Sequence, residues 1–138
     1  SAPAPPEGFA RHFRRSPLTD PWEPLWSRRT EAGFSMGLHL AEPHTNSRGF
    51  AHGGLIAAIA DNAMGLSCAL KLGGDARLVT VNLGLDLLGT AALGHWLEWE
   101  AGVVKLGRTL CFADCRVTAD AKLIARANAT FSTSRPST

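Results

Sequence analysis

The chain has 138 residues, 45% hydrophobic and 19% charged, with a formal net charge of +2. That length holds one domain with a real core and excludes two. The composition excludes a disordered chain, and so small a net charge gives no ground for a nucleic-acid partner. Arginine supplies most of the 14 basic residues, with Arg11, Arg14, Arg15, Arg28 and Arg29 crowded before residue 30. Arginine suits phosphate and carboxylate recognition. On a solvated surface it carries no specific meaning, and most of these are read that way. Cys68, Cys111 and Cys115 form no Cys-x-x-Cys pair. On a strand, Cys111 and Cys115 stand roughly 13 Å apart, which excludes a disulfide between them and argues against shared metal ligation. Buried free thiols in a reducing compartment are expected. No segment resembles a signal-peptide h-region and no apolar run approaches membrane-spanning length, so a soluble cytoplasmic protein without a membrane partner is expected. The start, Ser1-Ala2-Pro3 without Met, reads as a processed end or one made for expression.

Residues 1–8 are rich in Pro and Ala and are expected to fray. Residues 9–15 place Phe9 and Phe13 four apart among arginines, a pattern for a short helix. Pro17, Pro21 and Pro24 then impose irregular structure, with Trp22, Leu25 and Trp26 pinning this N-terminal extension of about thirty residues to the body. A first strand fits residues 33–40, where Phe34, Met36, Leu38 and Leu40 alternate with smaller or polar residues. Residues 44–51 form a polar loop. From His52 to Leu72, Leu55, Ile56, Ile59, Ala60, Ala63, Leu66 and Leu70 recur at helical spacing, and most sides are apolar, so this helix should be wrapped by protein. Gly73-Gly74-Asp75 closes it. Four strand-like runs follow at residues 79–87, 96–105, 109–118 and 123–132, with turns at Gly107-Arg108 and Ala119-Asp120-Ala121. One strand, one long buried helix and then four antiparallel strands give an α+β fold in which a curved sheet wraps a central helix. Without βαβ alternation a doubly wound sheet is disfavoured.

The chemistry concentrates in His52-Gly53-Gly54 and in Asp61, nine residues beyond His52. A Gly pair leading into a helix leaves bare backbone N–H groups at a positive dipole end, open to close approach by a ligand oxygen. A carboxylate among Ile59, Ala60, Ala63 and Met64 is costly unless it is paired, hydrogen-bonded or used. Together they suggest acyl chemistry.

These residues carry a resemblance to the hotdog-fold thioesterases, in particular the PaaI-like acyl-CoA thioesterase branch. It spans nearly the whole length from Pro6: Gly8-Phe9, Arg15-Ser16-Pro17-Leu18, Asn46-Ser47-Arg48-Gly49-Phe50-Ala51-His52-Gly53-Gly54, Asp61-Asn62-Ala63-Met64-Gly65, Thr80-Val81-Asn82-Leu83 and Gly107-Arg108-Thr109-Leu110. The fold it implies is the hotdog, a long helix wrapped by a five- or six-stranded antiparallel sheet. The activity it implies is acyl-CoA hydrolysis at a site shared by two subunits, without cofactor or metal. Helix geometry supports the sharing independently. Gly53 and Asp61 lie roughly 12 Å apart along one axis, so one thioester carbon hardly touches both. A homodimer follows, and by resemblance a dimer of dimers.

Asp61 is read as general base or as nucleophile forming an anhydride, with the Gly53 N–H polarising the thioester carbonyl. His52 either caps the loop or positions that carbonyl. Asn46 is a natural loop-former that falls on the family position orienting thioester or water. Thr80, on the face opposite Val79, Val81 and Leu83, is ordinarily a structural strand residue, and by resemblance assists the acid. Asn62 should point elsewhere. Gly54, Gly107, Arg108, Thr109 and Arg77 are candidate substrate contacts, with Arg108 and Arg77 near the CoA phosphates. Trp96 and Trp99 fall on opposite strand faces as packing residues. Ala57, Ala58, Ala60 and Ala63 leave room for a medium aliphatic or aryl acyl group. A hotdog hydratase or dehydratase is the rival enzyme, disfavoured because no GDxNPxH-like segment is present. A non-catalytic acyl-CoA-binding protein should lack the buried acid or carry a DNA-binding extension.

Overall fold

The structure, a computed structural model, describes residues 3–73 and 76–134. The parts played by Ser1 and Ala2 in the frayed start, and by Gly74 and Asp75 in closing the helix, lie outside these residues. The expected helix is α1, Gly53–Leu72, with His52 as N-cap and Gly73 at its end in the left-handed region (φ 77°). Leu55, Ile56, Ile59, Ala60, Ala63, Met64, Ser67 and Cys68 are all buried. They cover more than one face of the helix, which is why it needs a sheet wrapped around it. Contrary to the sequence expectation, α1 is long and apolar enough to cross a membrane by length and composition; only Asp61 and Lys71 interrupt it with charge. Here it packs as the core helix of a domain.

Among the described residues seven strands, two more than the minimum expected, form one antiparallel sheet. They are β1 Ala10–Arg11, β2 Trp26–Arg29, β3 Gly33–His39, β4 Arg77–Leu87, β5 Trp96–Leu106, β6 Leu110–Ala119 and β7 Lys122–Ser134, in the order β1-β2-β3-β5-β6-β7-β4. The inner face follows the two-residue period. Phe34, Met36 and Leu38 of β3, Leu97 and Trp99 of β5, Cys111 to Val117 at alternate positions of β6, and Ala125 to Phe131 of β7 are buried around the helix. Trp99 points inward, its indole N–H donating to Ile56 O at 3.0 Å. Trp96 points outward, where its ring fills the space a Cβ at Gly37 would need and meets Phe9 edge to face.

The extra strands come from the N-terminal extension. The short helix expected over residues 9–15 does not form. Ala10 and Arg11 instead pair with Ser27 and Trp26, and β2 pairs with β3, so long-range edge pairing outweighs a weak local helical pattern. Residues 6–8 are also held rather than frayed, by a turn in which Phe9 N–H donates to Pro6 O and by Arg28 on Glu7 O. Leu25 is buried, as its pinning role requires.

The expectation of three free thiols is corrected. Cys68 of α1 and Cys111 of β6 form a disulfide with Cα atoms 6.4 Å apart. Spacing along the chain does not reveal that a helix position and a strand position 43 residues away face each other. Cys115 is free and buried, and burial pushes its thiol up to about 12.

His44 links the extension to the body. Its Nδ1 accepts the Ala41 N–H at 2.9 Å, which leaves Nε2–H to donate to Trp22 O at 2.8 Å. Burial holds His44 below its ordinary value, and it does the same to His12. Unfolded imidazoles take up protons near pH 6.5 while these two take them up at lower pH in the fold, so stability present above pH 6.5 is lost as pH falls from there through the lowered values. The expected outcome is a Tm that is flat from pH 8 to 7 and falls from pH 6.5 to 5.5. His44→Gln should melt lower at pH 8 and show a shallower acid slope in thermal melts monitored by circular dichroism.

Candidate active site

His52 ends the loop that leads into α1, with its backbone N–H on His44 O and its C=O accepting from Ile56. Its Nδ1 accepts the Gly54 N–H at 2.8 Å, the usual N-cap bond. This bond leaves the proton on Nε2, free to donate to a substrate oxygen. It also occupies the Gly54 amide, so Gly54 contributes room for the ring rather than an anion donor. A Cβ there would stand 2.9 Å from His52 Cε1. The Gly53 N–H, one residue earlier, has no partner among the described residues. It is an open donor at the positive end of the helix. Asn46 shapes the same loop: its Oδ1 accepts from Arg48 N at 2.9 Å and Phe50 N at 3.2 Å, and only its amide Nδ2 is left to face a ligand.

Two turns along, Asp61 is half-buried rather than sealed in the apolar core. Thr80 Oγ1 donates to its Oδ1 at 2.8 Å. Thr80 therefore faces the helix, on the same sheet face as Leu83, which corrects the expected opposition of those two residues. The register explains it: Thr80 lies opposite Phe131 and Leu83 opposite Ala129, both inward, with an irregularity between Thr80 and Asn82. At the other end of β4, Leu87 closes on the helix start, where a Cβ at Gly53 would stand 2.9 Å from its Cδ1.

Asp61, Thr80 and Arg77 border one cavity of about 540 Å³. Asn62 borders it too, so it does not point elsewhere as expected. Gly107 and Arg108 border a separate cavity of about 490 Å³ with Leu72, at the far end of the helix. Thr109, in the same turn, accepts Thr133 N–H on its carbonyl. Of the four alanines expected to leave room for an acyl group, Ala60 and Ala63 are fully buried and pack the core, whereas Ala57 and Ala58 are half-buried. The polar residues missed from sequence are His12, Arg14, Arg15, Ser16 and Thr19, which border the Asp61 cavity. The one available signal was the match at Arg15-Ser16-Pro17-Leu18. No group of three or more His, Cys, Asp or Glu side chains among the described residues is arranged to hold a metal.

Residues 48–124, which include the helix start, Asp61 and Thr80, match the model of the thioesterase superfamily. The chain belongs to that superfamily. Over 127 residues it is 39% identical to the putative esterase PA0474 of Pseudomonas aeruginosa, covering 91% of this chain and 95% of that one. Over 93 residues it is 37% identical to human acyl-coenzyme A thioesterase 13, covering 64% of each. Among solved structures it is similar to smu.793 from Streptococcus mutans bound to acetyl CoA, with a TM-score of 0.70, 28% identity and coverage of 80% of this chain and 87% of that one. The protein is thus a thioester hydrolase with a hotdog fold.

In this thioesterase the His52 cap and the open Gly53 amide depend on Gly54. Gly54→Ala should displace His52 and destabilise the fold by about 1 kcal/mol, the value of an N-cap, with a matching drop in denaturant midpoint and a loss of thioester turnover. His52→Asn keeps a capping side chain, so it should retain the midpoint while still losing turnover.

Proposed function

We propose that the chain hydrolyses acyl-CoA thioesters in sites that each join two copies of it. The observation that carries this reading is the Thr80–Asp61 hydrogen bond on β4, a strand whose outer edge is unpaired among the described residues. That edge strand is long and exposes Val79, Val81, Leu83 and Leu87, the profile of an edge that pairs with another chain. Thr80 marks the Asp61 end of β4 and Leu87 the Gly53 end. Antiparallel pairing of two copies centred between Leu83 and Gly84 sets Thr80 of one opposite Leu87 of the other. Each Asp61 then approaches the other copy's Gly53, and the separation along one helix ceases to matter. The acyl-CoA assignment is supported by the acyl-coenzyme A thioesterase and acetyl-CoA-bound relatives.

In this reading the Gly53 N–H and the His52 Nε2–H bind the thioester oxygen, where negative charge grows as carbon becomes tetrahedral. Asp61, held by Thr80, takes a proton from water as the water oxygen bonds to carbon. The C–S bond then breaks, and the departing CoA thiolate recovers the proton. The second route has Asp61 attack carbon directly, expel the thiolate and form an anhydride that water opens. Asn46 Nδ2 orients the thioester or water, and the Gly107-Arg108-Thr109 turn receives the charged end of CoA. Turnover in ¹⁸O-water separates the routes, since only the anhydride path can place label in the Asp61 carboxylate.

Asp61→Asn and Asp61→Ala should each cut kcat by at least ~10², while acyl-CoA binding changes much less. Thr80→Val should cost less than either, because it loosens the acid without removing it. Mixing Asp61→Ala chains with His52→Ala/Asn46→Ala chains should restore one working site per mixed dimer, read by thiol release. A verified heterodimer without recovered activity would falsify the shared site.

A further inference from the structure

The cavity at Asp61 is bordered by a segment that the proposed hydrolysis leaves unused. Residues 12–19 run past it between two buried anchors, His12 and Thr19. His12 Nδ1 lies 3.0 Å from Ser27 Oγ, and its backbone N–H donates to Leu25 O at 2.8 Å. The Thr19 N–H donates to Ser16 Oγ at 3.2 Å, and Ser16 O accepts the Asp20 N–H at 2.9 Å. Arg14 and Arg15 therefore reach the cavity from a backbone held on both sides, which lowers the ordering cost of using them. Arg77 borders the same cavity from the start of β4.

The charges are unevenly matched. Arg15 pairs with Asp20 at 3.0 Å and lies 3.8 Å from Glu23. Arg14 and Arg77 have no ion-pair or hydrogen-bond partner among the described residues, and neither pairs with Asp61. Arg14 and Arg77, both exposed, thus border one cavity with the half-buried Asp61. A plain aliphatic chain laid there would strip water from both and offer nothing in return. A carboxylate would accept their fork-shaped donors.

We infer that Arg14 and Arg77 form an oxyanion subsite beside Asp61, and that the preferred acyl group carries a carboxylate at its far end, making the substrate a dicarboxylic half-thioester. This rests on the reading of Asp61 as the acid of a thioesterase. A CoA phosphate would offer the same oxyanion chemistry, but the pantetheine arm holds the phosphates away from the thioester by its own length. Arg77 is accordingly reassigned from the phosphates to the acyl group.

The test is thiol release by the wild type, Arg14→Ala, Arg77→Ala and the double variant on glutaryl-CoA and pentanoyl-CoA, which match in chain length and differ in the terminal carboxylate. The two corresponding pantetheine thioesters, which lack phosphates, complete the panel. The wild type should favour the glutaryl group by about tenfold in kcat/KM, the worth of a charge-assisted contact reduced by exposure. In the double variant that ratio should fall toward one on CoA and pantetheine substrates alike, and Arg14→Lys/Arg77→Lys should recover part of it. Equal wild-type rates for the two acyl groups, or a preference that survives in the double variant, overturns the subsite. A loss shared by both acyl groups and confined to the CoA substrates means that the arginines read a phosphate, which overturns the acyl assignment. If no thioester is hydrolysed, the thioesterase reading has failed instead, and calorimetric titration of glutarate decides the subsite. Binding to wild type that disappears in the double variant upholds it, and no binding to wild type rejects it.

Discussion

Asp61 and the Gly53 amide ride on one helix, eight residues and roughly 12 Å apart, and much of the fold serves to keep that helix still. Trp99 reaches from the sheet to the Ile56 carbonyl, and the disulfide ties Cys68 to β6. Gly33 lets β3 come so close that a Cβ there would stand 2.9 Å from Ser67 Oγ. With the helix fixed at its first turn and again around Ser67 and Cys68, the direction of the Gly53 N–H and the position of the Asp61 carboxylate are set before any ligand arrives. Such preorganisation is what electrostatic stabilisation of a tetrahedral intermediate requires.

The N-terminal extension has a structural and a chemical side. Its two short strands widen the sheet, and the His44–Trp22 bond fastens it near the loop that feeds the helix. Between those attachments lies the stretch that borders the Asp61 cavity. Within that stretch Arg14 and Arg15 are exposed, so changing them removes no core contact, whereas His12 and Phe13 pack against the buried Phe34 of β3. The proposed acyl contacts thus come from both parts of the chain, Arg14 from the extension and Arg77 from β4.

How far the molecule could be read from its residues follows the range of the forces involved. Helix α1 was legible to within one residue because capping, apolar spacing and a closing glycine all act within a few positions. The alternation in β5, β6 and β7 was legible for the same local reason. The pairing of β1 with β2 was not, since two strands of two and four residues are stabilised only by neighbours elsewhere in the sheet. The Cys68–Cys111 bond, the place of Asn62 and the reach of Arg14 were hidden for that reason too: each depends on what lies across a gap in space. Within the site, the juxtaposition of Asp61 and Thr80 was anticipated through family resemblance rather than through periodicity, and periodicity alone misplaced Leu83 relative to Thr80.

That misplacement points to a property of β4. Its residues obey two alternation frames joined at Val81: on the N-terminal side the even-numbered Thr80 looks inward, and on the C-terminal side the odd-numbered Leu83, Leu85 and Leu87 do. The joint is what allows one strand to present a hydroxyl to the acid and a leucine row to the helix from the same face, a combination that an unbroken two-residue rhythm forbids. Side chains along β4 are therefore more exchangeable than its length. Replacing a residue alters one contact, whereas adding or removing one near the joint moves the hydroxyl and the leucines out of phase, and chemistry and packing would be lost together.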